Sequence, residues 1–502
     1  MITMILLLIL LPIIAGVAAL FVRSDRLRRL ILVASAIAHS ALTGFAWVHR
    51  PAPACGGWLL LDDLGLLFLS IVSFLFLAAA FYAVGYFQRE DWGKRQDFEE
   101  GFLFTNAREA TFTCCLLLFL ATMSLVCLSQ DFGLIWVAVE ATTLASAPLI
   151  YFHRHRRSLE ATWKYLMICS VGIGLALLGN FFLAVASTLG PNKSVPMILS
   201  SLIANAGLLH PLWLKVAFLF LVVGYGTKLG LAPMHTWLPD AHSEAPSMVS
   251  SLLSGALLNC AFLAVLRMQQ VCFAAGQGQF GQQILLGLGL LSMAVAAVFI
   301  IGQNDFKRML AYSSIEHMGI LSLAVGLGGA AYFGALFHAV NHSLTKGMLF
   351  LVAGNILTAY KTKSSKEVRG AVKLLPISGV LWVAGFLAIT GSPPFGPFLS
   401  ELIILKSALD QGRMVIAGAY LVLLSVIFIG MAAIVLKMCQ GAPVAQAAGD
   451  SPRLENSLNP GAESGLAVIP PLVLGLAVLV LGVYLPPALK GLIAHAARAI
   501  GG

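Results

Sequence analysis

Charged side chains are scarce in this sequence: Lys, Arg, Asp and Glu together make up 11% of its 502 residues. A soluble protein carries roughly 25%. Hydrophobic residues reach 59%, and apolar runs of about 20 residues, each long enough to cross a hydrocarbon core of about 30 Å, recur along the whole chain. The composition therefore excludes a soluble globular domain and predicts an all-α polytopic membrane protein in a lipid bilayer.

Cysteine pairs of the kind that bind metals or iron–sulfur clusters are also missing. None of the eight cysteines stands in a CxxC motif, and most of them lie inside apolar runs, where small core residues are expected. No pattern in the chain indicates a nucleotide or flavin site. The sequence therefore predicts no cofactor and no bound metal.

About fourteen apolar runs are long enough to be membrane spans. They cover residues 3–21, 29–48, 60–86, 113–128, 130–152, 162–188, 212–234, 246–268, 283–303, 309–328, 331–358, 376–408, 414–438 and 466–488. The stretch 194–210 is ambiguous. We expect the chain to end after its fourteenth span.

Basic residues cluster in alternate loops, so the net charge of +9 does not indicate a nucleic acid as partner. The loops after the first, fifth, ninth and eleventh spans hold 14 of the 31 Lys and Arg residues, whereas the loops that alternate with them hold few. The positive-inside rule places these loops in the cytoplasm and both termini on the outer side. The first run lacks a basic start and a cleavage site, so we interpret it as a retained helix.

Two spans contain helix-breaking residues next to a charged group. Lys228 lies inside the seventh apolar run, five residues before Pro233, and the twelfth run is interrupted at 391–396, just before Glu401. Irregular backbone at membrane depth is tolerated only where protein or a water-filled cavity covers it. Two interrupted spans at corresponding places in two halves of a chain indicate inverted repeats, as in ion and proton transporters.

This pattern divides the chain into four regions. Residues 1–112 form three N-terminal spans and a cytoplasmic loop, 113–270 the first five-helix repeat, 271–440 the second, and 441–502 a linker with the last span. The polar loop 88–112 is the better site for contact with a partner, and 440–464 is predicted to be a linker.

Glu140 and Lys228 are ionisable residues in otherwise apolar spans. Glu140 lies about 13 Å along its span, close to the bilayer midplane. It is either functional or a protonated carboxyl group bonded to Thr142 and Thr143. Ionised groups at this depth are costly and rare, so we favour function for both Glu140 and Lys228.

His338, His342 and Lys346 recur every four residues on the eleventh span and therefore share one face. Each histidine alone is more often a hydrogen-bonded core residue, but the stripe favours a proton relay because histidine titrates near neutral pH. A metal site is less favoured, since lysine is a poor ligand and no carboxylate shares the stripe.

Other ionisable residues have weaker signals. Glu401, just after the second break, is favoured as functional, whereas Lys164 either takes part in a relay or snorkels to the membrane surface. The remaining possible relay residues either extend the pathway and line its mouth or stabilise local structure: His235, Asp240, His242, Glu244, Glu316 and His317.

Four segments resemble the antiporter-like subunits of respiratory complex I, membrane-bound hydrogenases and multisubunit cation antiporters. They are WVAVEATTLAS at 136–146, GTKLGLAPMHTWLPDAHSEAPSMVSSLLSG at 226–255, QNDFKRMLAYSSIEHMGI at 303–320 and GALFHAVNHSLTKGMLFLVAGN at 334–355. Glu401 resembles the M-type complex I subunit. The YSSIEHMG form and Asn259, where the M-type has lysine, are most similar to hydrogenase-4 component F of group 4 nickel–iron hydrogenases.

The resemblance implies about fourteen transmembrane helices with two inverted five-helix repeats, each with one broken helix and half a proton channel. It implies that Glu140 and Lys228 are the input pair, that Lys346 with His338 and His342 is the central relay, and that Glu401 is the exit group. Asn259 leaves the step between Lys228 and Lys346 to water or to the histidines.

The implied function is proton translocation in a redox-driven complex of the bacterial cytoplasmic (inner) membrane. The implied partners are other membrane subunits and peripheral subunits with iron–sulfur clusters, because this chain has no redox centre of its own. Two alternatives stay open: a subunit of a sodium–proton antiporter without redox partners, and a structural anchor whose polar residues only hold helices together.

Overall fold

The computed structural model of the chain describes residues 4–90, 92–97, 101–190, 193–441 and 463–501. The helices up to the first break are α1 Met4–Phe21, α2 Asp25–Val48, α3 Asp63–Arg89, α4 Glu109–Leu128, α5 Phe132–Ile150, α6 Arg156–Ala186, α7 Leu199–Ala204 and α8 Pro211–Leu229. The helices after it are α9 Trp237–Glu244, α10 Ser247–Leu252, α11 Leu258–Ala274, α12 Gly278–Ile300, α13 Phe306–Leu327, α14 Ala331–Tyr360, α15 Ala371–Leu374, α16 Pro376–Ile389, α17 Gly396–Asp410, α18 Met414–Cys439, α19 Gly465–Val483 and α20 Pro487–Ile500.

Twelve helices in the described ranges are long and apolar enough to cross a membrane, if α10, the π-helical turn Leu253–Leu257 and α11 are counted as one. The 30-residue α14 and the broken pair α16–α17 bring the number of spans to fourteen. The predicted all-α polytopic fold with fourteen spans is therefore confirmed. The ambiguous stretch 194–210 holds only the short α7 and a 3₁₀ turn, Ala206–Leu208, so it is not a span.

The only strands in the described residues form two small antiparallel pairs outside the spans. β1 Arg95–Gln96 pairs with β2 Leu103–Phe104, and β3 Thr188–Gly190 pairs with β4 Lys193–Ser194. The first pair lies in the predicted polar loop 88–112. Nearly all of the predicted linker 440–464 falls outside the described residues.

Both predicted helix breaks are present. α8 ends at Leu229 because Gly230 takes a left-handed conformation with φ of 80°, and Pro233 follows with a cis peptide bond. α16 ends at Ile389, Gly391 has φ of 65°, and the bond between Pro393 and Pro394 is cis. Proline lacks the amide hydrogen and glycine tolerates positive φ, so neither segment continues a helix.

The C-terminal end differs from the expectation. The last predicted run, 466–488, corresponds to α19, and a further amphipathic helix, α20, follows it and packs against α3, α11 and α14. Gln270 donates to the Ala499 carbonyl at 3.0 Å in this contact. The sequence did not reveal α20 because a 14-residue helix with one apolar face contains no long apolar run.

In the described ranges, the helices that contain the buried ionisable residues are themselves almost completely buried. α11 and α13 are buried over nearly their whole length, and α14 is buried from Ala331 to Ile356 with the exception of Phe333. Protein side chains, and not lipid, therefore surround the ionisable residues of α13 and α14. This arrangement is needed if those groups are to exchange protons.

Candidate functional site: a buried chain of ionisable groups

Lys228 lies in the last turn of α8, directly before the first break, and is fully buried. Its Nζ donates to the hydroxyl groups of Thr143 and Tyr165, both at 2.7 Å, and lies 4.6 Å from the centre of the Tyr165 ring. Trp237 packs on Tyr165 and donates to the Thr227 carbonyl at 2.8 Å. The start of α9 thus closes the Lys228 site from the side of the break.

Glu140 is connected to Lys228 through Thr143. The Thr143 hydroxyl donates to Glu140 Oε2 at 3.1 Å and accepts from Lys228. Among the described residues, no salt bridge within 4.0 Å joins Glu140 and Lys228 directly, so the two residues of the predicted input pair are linked through the Thr143 hydroxyl. Glu140 is also half-buried and not fully buried, and Ser170 approaches its Oε1 at 3.5 Å. The two charges share one hydroxyl because Thr143 fills the space between α5 and α8.

The hydroxyl groups that contact Lys228 donate their own protons to other acceptors. Ser146 donates to the Thr142 carbonyl at 2.7 Å, so at its 2.7 Å contact with Tyr165 the tyrosine is the donor. Tyr165 and Thr143 therefore use their single protons elsewhere and offer Lys228 only lone pairs. A charged lysine, which has three donors and no acceptor, satisfies this arrangement.

His317 and His338 form the centre of the second half. His338 Nδ1 lies 2.9 Å from Ser400 Oγ, and His338 Nε2 lies 2.9 Å from His317 Nδ1. Ser400 donates its one proton to the Pro397 carbonyl at 2.8 Å, so His338 is the donor to Ser400. In the neutral form His338 then accepts at Nε2 from the Nδ1 proton of His317. The network therefore determines both tautomers.

Glu401 lies beside this histidine pair at the second break. It is buried, and its carboxylate lies against Gly391, where a β-carbon would overlap it. One ligand atom each from His317, His338 and Glu401 all lie within 4.8 Å of one another. Glu401 Oε1 has no hydrogen-bond partner in the part of the chain that the structure describes. Glu316 lies nearby, with Oε2 at 3.9 Å from His317 Nε2 and 3.4 Å from Ser313 Oγ.

Lys346 and His342 complete the predicted stripe on α14, and both are fully buried. Lys346 Nζ donates to the Leu310 carbonyl of α13 at 2.8 Å. The ring of His342 lies 5.2 Å from that of His317, yet neither of its nitrogens has a hydrogen-bond partner in the described ranges. The stripe therefore faces α13 and not lipid, as the sequence predicted.

His242 at the end of α9 shows the same feature as His342. It is fully buried and packs on the Phe350 ring at 5.0 Å, and neither ring nitrogen has a hydrogen-bond partner within the described structure. Buried polar atoms without protein partners are costly unless water reaches them. His242 and His342 therefore mark places where water is expected between α9 and α14.

Asn259 stands between the two halves of the chain of ionisable groups. Its Nδ2 donates to Ser343 Oγ of α14 at 2.6 Å and to the Gly255 carbonyl at 2.8 Å. The neighbouring π-helical turn Leu253–Leu257 contains Ser254, whose hydroxyl contacts that of Ser314 at 2.8 Å. The structure thus places polar but non-titrating groups between Lys228 and Lys346.

The remaining predicted residues lie nearer the surface. Lys164 pairs with Glu160 at 2.7 Å and with Asp240 at 2.9 Å, and 46% of its side chain is exposed. Asp240 also contacts Arg308, and Glu244 pairs with Lys363 at 2.8 Å. His235 lies in the first break and is buried, with 9% of the residue exposed. Lys164, Asp240 and Glu244 each form an ion pair, and their part in a proton pathway stays a prediction.

Lys307 is a buried group that the sequence did not single out. The sequence placed it in a basic loop, but it lies in the first turn of α13 and donates to the carbonyls of Ser243 and Ala245 at 3.1 and 2.6 Å. Ser243, Glu244 and Lys307 are among the residues that line a cavity of about 310 Å³. A lysine next to carbonyls that end a short helix is stabilised by the helix dipole. The sequence signal was its position directly before an apolar run.

The chain matches the family model described as "NADH:quinone oxidoreductase/Mrp antiporter, TM" over residues 129–428. It is 34% identical over 435 residues to a hydrogenase-4 component F homolog of Methylacidiphilum infernorum, with 86% of each chain covered. It is 30% identical over 370 residues to the Na⁺/H⁺ antiporter subunit A1 of Staphylococcus aureus, covering 71% of this chain and 43% of that one.

Among solved structures, a chain of the membrane-bound sulfane sulfur reductase, an archaeal respiratory membrane complex, superposes with a TM-score of 0.84. The two chains are 21% identical, and the match covers 99% of this chain and 97% of the other. The matched fold and the matched family model both include every ionisable residue of the two breaks. The chain therefore belongs to the NADH:quinone oxidoreductase/Mrp antiporter family of membrane subunits.

Proposed function

We propose that this chain is the proton-translocating membrane subunit of a redox-driven complex of the hydrogenase-4 and complex I type. One observation carries the proposal: buried titratable groups lie at both breaks, Lys228 at the first and Glu401 at the second, and on α13 and α14, with the polar group Asn259 between the two halves. A protein interior contains such groups only where they are paired or functional. The similarity to a hydrogenase-4 component F homolog covers both breaks and supports the same function.

In the first half, Thr143 couples Glu140 to Lys228. Protonation or movement of Glu140 removes the nearest negative charge from Lys228. The Thr143 hydroxyl then remains as a neutral hydrogen-bond partner of the lysine. The buried Lys228 ammonium group then has less to offset the cost of its burial, so it releases its proton toward the centre. Water near Asn259 and Ser343 carries this proton on, because neither side chain titrates.

In the second half, the histidine pair passes a proton in one direction. A proton that arrives at His317 Nε2 allows the Nδ1 proton to move to His338 Nε2, and the Nδ1 proton of His338 then leaves toward Ser400 and the second break. Each ring gains one proton and loses one. Rotation of the two rings restores the starting tautomers, and Glu401 receives the proton at the exit.

The cytoplasmic supply of protons is assigned to the cavity lined by Ser243, Glu244 and Lys307. His242 is adjacent to Ser243 in the chain and has ring nitrogens without protein partners in the described structure, so it connects this cavity to His342 through water. This assignment needs the orientation that the basic loops predict, with both termini on the outer side. The proposed function also retains the division of the chain into the four predicted regions, 1–112, 113–270, 271–440 and 441–502.

The partners that this function requires are other membrane subunits and peripheral subunits with iron–sulfur clusters. The solved relative belongs to a respiratory membrane complex, and the curated relative is a hydrogenase component, which supports the same type of assembly here. The bacterial cytoplasmic (inner) membrane is the location that follows. The polar hairpin β1–β2 in the loop 88–112 is the proposed contact with a peripheral partner.

The two alternatives have less support. The sodium–proton antiporter relative matches at lower identity and over a smaller share of this chain than the hydrogenase relative. A structural anchor would use its polar residues to join helices, and such residues would have protein partners. His242 and His342 lack hydrogen-bond partners in the described ranges, so helix joining does not explain them.

The test is redox-driven proton uptake by the assembled complex in proteoliposomes. We expect uptake that requires electron transfer, persists without sodium and is lost in Lys346→Met, while electron transfer falls less. Lys406→Met is the matched control, because Lys406 is an exposed lysine that pairs with Asp410 at 2.6 Å. Uptake driven by a sodium gradient without a redox substrate would contradict the proposal, as would parental uptake in Lys346→Met.

A further inference from the structure

His317, His338 and Glu401 come from three different helices, α13, α14 and α17, and meet in one buried cluster. One ligand atom from each residue lies within 4.8 Å of the other two. Two imidazoles and a carboxylate form a donor set that zinc sites commonly use. We propose that this His317–His338–Glu401 cluster binds a divalent transition-metal cation such as Zn²⁺, in competition with the proton.

The hydrogen bonds of His338 prepare it as a ligand. Its Nδ1 proton is donated to Ser400, so Nε2 carries a lone pair, which accepts the Nδ1 proton of His317 until a metal replaces that hydrogen bond. Metal-bound histidines usually donate their other ring N–H to such a partner, which fixes the tautomer and the ring orientation. Ser400 therefore plays the part that an outer-shell partner plays in established metal sites.

His317 and Glu401 have ligand atoms that are not engaged. In the tautomer that the network requires, His317 Nε2 carries a lone pair, and it makes no hydrogen bond within the described structure. Glu401 Oε1 is likewise without a hydrogen-bond partner among the described residues, and its side chain is buried. A cation would satisfy Glu401 Oε1, and it binds His317 together with His338 once the hydrogen bond from His317 Nδ1 to His338 Nε2 is broken. If Glu401 carries a proton when the metal arrives, that proton is released to water.

The distances require only small movements. Tetrahedral ligands at about 2.0–2.1 Å from Zn²⁺ lie about 3.3 Å apart. The nearest nitrogens of His317 and His338 are 2.9 Å apart. The upper limit of 4.8 Å within the cluster then leaves about 1.5 Å to close. If His317 binds through Nδ1, its proton moves to Nε2, which lies 3.9 Å from Glu316 Oε2.

The chemistry selects the class of cation. Na⁺, Mg²⁺ and Ca²⁺ prefer oxygen ligands, whereas imidazole nitrogens favour Zn²⁺, Cu²⁺ and Ni²⁺. The carboxylates of Glu401 and Glu316 can together balance a double positive charge next to Lys346. The sequence favoured no metal because the α14 stripe contains no carboxylate, but the fold supplies Glu401 from α17 and a second imidazole ligand, His317, from α13.

Binding should be measured first, independently of transport. Equilibrium dialysis of the purified assembled complex with Zn²⁺ gives the affinity, and Co²⁺ as a substitute gives a visible spectrum that reports tetrahedral ligation. We expect His338→Gln and Glu401→Gln to weaken binding more than about 100-fold, since loss of an outer-shell partner alone costs roughly 10–100-fold. His39→Gln is the matched control and should bind as the parent does, because His39 is an equally buried histidine on α2, outside the cluster and outside the proposed proton pathway.

Assembly of each variant is checked by size-exclusion chromatography, and Glu401→Asp provides a second variant that keeps a carboxylate and should retain part of the affinity. Equal affinity in the parent and His338→Gln would overturn the proposal, as would no binding by the assembled parent. Inhibition of proton uptake by Zn²⁺ in the parent, which rests on the proposed function, is expected at the same concentrations. Binding without inhibition would leave the metal site intact and count against the proton pathway.

Discussion

At the first helix break, Lys228 donates to two hydroxyl groups whose own protons are committed elsewhere, and the Thr143 hydroxyl connects it to Glu140. At the second break, Glu401 lies against Gly391, and within the described structure its Oε1 has no hydrogen-bond partner. The backbone is interrupted in the same way at both places. The hydroxyl groups at the first break therefore stabilise a charged lysine. At the second break, the unused acceptor of Glu401 can bind a proton, a water molecule or a cation.

Glu401→Gln tests the second break and should reduce proton uptake more than substitutions of His342, Thr143 or Ser400. Glutamine keeps the shape of the side chain but cannot titrate, so we expect normal assembly and a fall in redox-driven proton uptake of about 100-fold or more, the typical contribution of a positioned acid–base group. Uptake in proteoliposomes is the measurement. Glu401→Lys should retain some uptake, and parental uptake by Glu401→Gln would make Glu401 structural.

His342→Gln compares two members of the α14 stripe. Water can bridge the gap that a missing imidazole leaves, because a water-mediated hydrogen bond is nearly as favourable as a direct one. We therefore expect His342→Gln to retain a substantial part of the proton uptake that Lys346→Met loses. The opposite order would show that the imidazole and not the ammonium group carries the proton at this step.

Thr143→Val tests the first break by removing the hydroxyl that Glu140 and Lys228 share. Valine has nearly the same shape, so the loss is that of the hydrogen bond to a buried charge, about 1–3 kcal/mol. We expect a lower thermal midpoint of the solubilised complex together with reduced proton uptake. Thr143→Ser keeps the hydroxyl and should behave like the parent. A valine variant with unchanged midpoint and uptake would show that Thr143 does not couple the pair.

Ser400→Ala should have the smallest effect. It removes the acceptor of the His338 Nδ1 proton, a neutral hydrogen bond with a net contribution of about 1 kcal/mol. We expect near-parental assembly and a modest decrease in proton uptake. A loss as large as that of Glu401→Gln would mean that Ser400 is itself required for proton transfer and does more than orient His338.

The sequence predicted the spans, the two breaks and the burial of the α14 stripe because each depends on local chemistry. Span length follows from apolar runs, and the breaks follow from Pro233, Gly391 and Pro394. The helical repeat places His338, His342 and Lys346 on one face, whichever helix they pack against. These features need no knowledge of the tertiary structure.

Contacts between helices could not be predicted in the same way. Thr143 lies between Glu140 and Lys228, and Glu401 approaches His317, because of how α5, α8, α13 and α17 are rotated and shifted against each other. A single sequence contains no direct record of that packing. Tyr165 and Ser400 were missed for the same reason, since a hydroxyl in an apolar span is common and becomes informative only next to its partner.

The most direct test of the account is the ratio of protons pumped to electrons transferred in the assembled Lys228→Ala complex. Lys228 is the charge around which the first break is organised, and alanine removes it without breaking the helix. We predict a ratio near zero, with electron transfer that is retained in part or uncoupled. A parental ratio in fully assembled Lys228→Ala complex would contradict the proton pathway proposed for this chain.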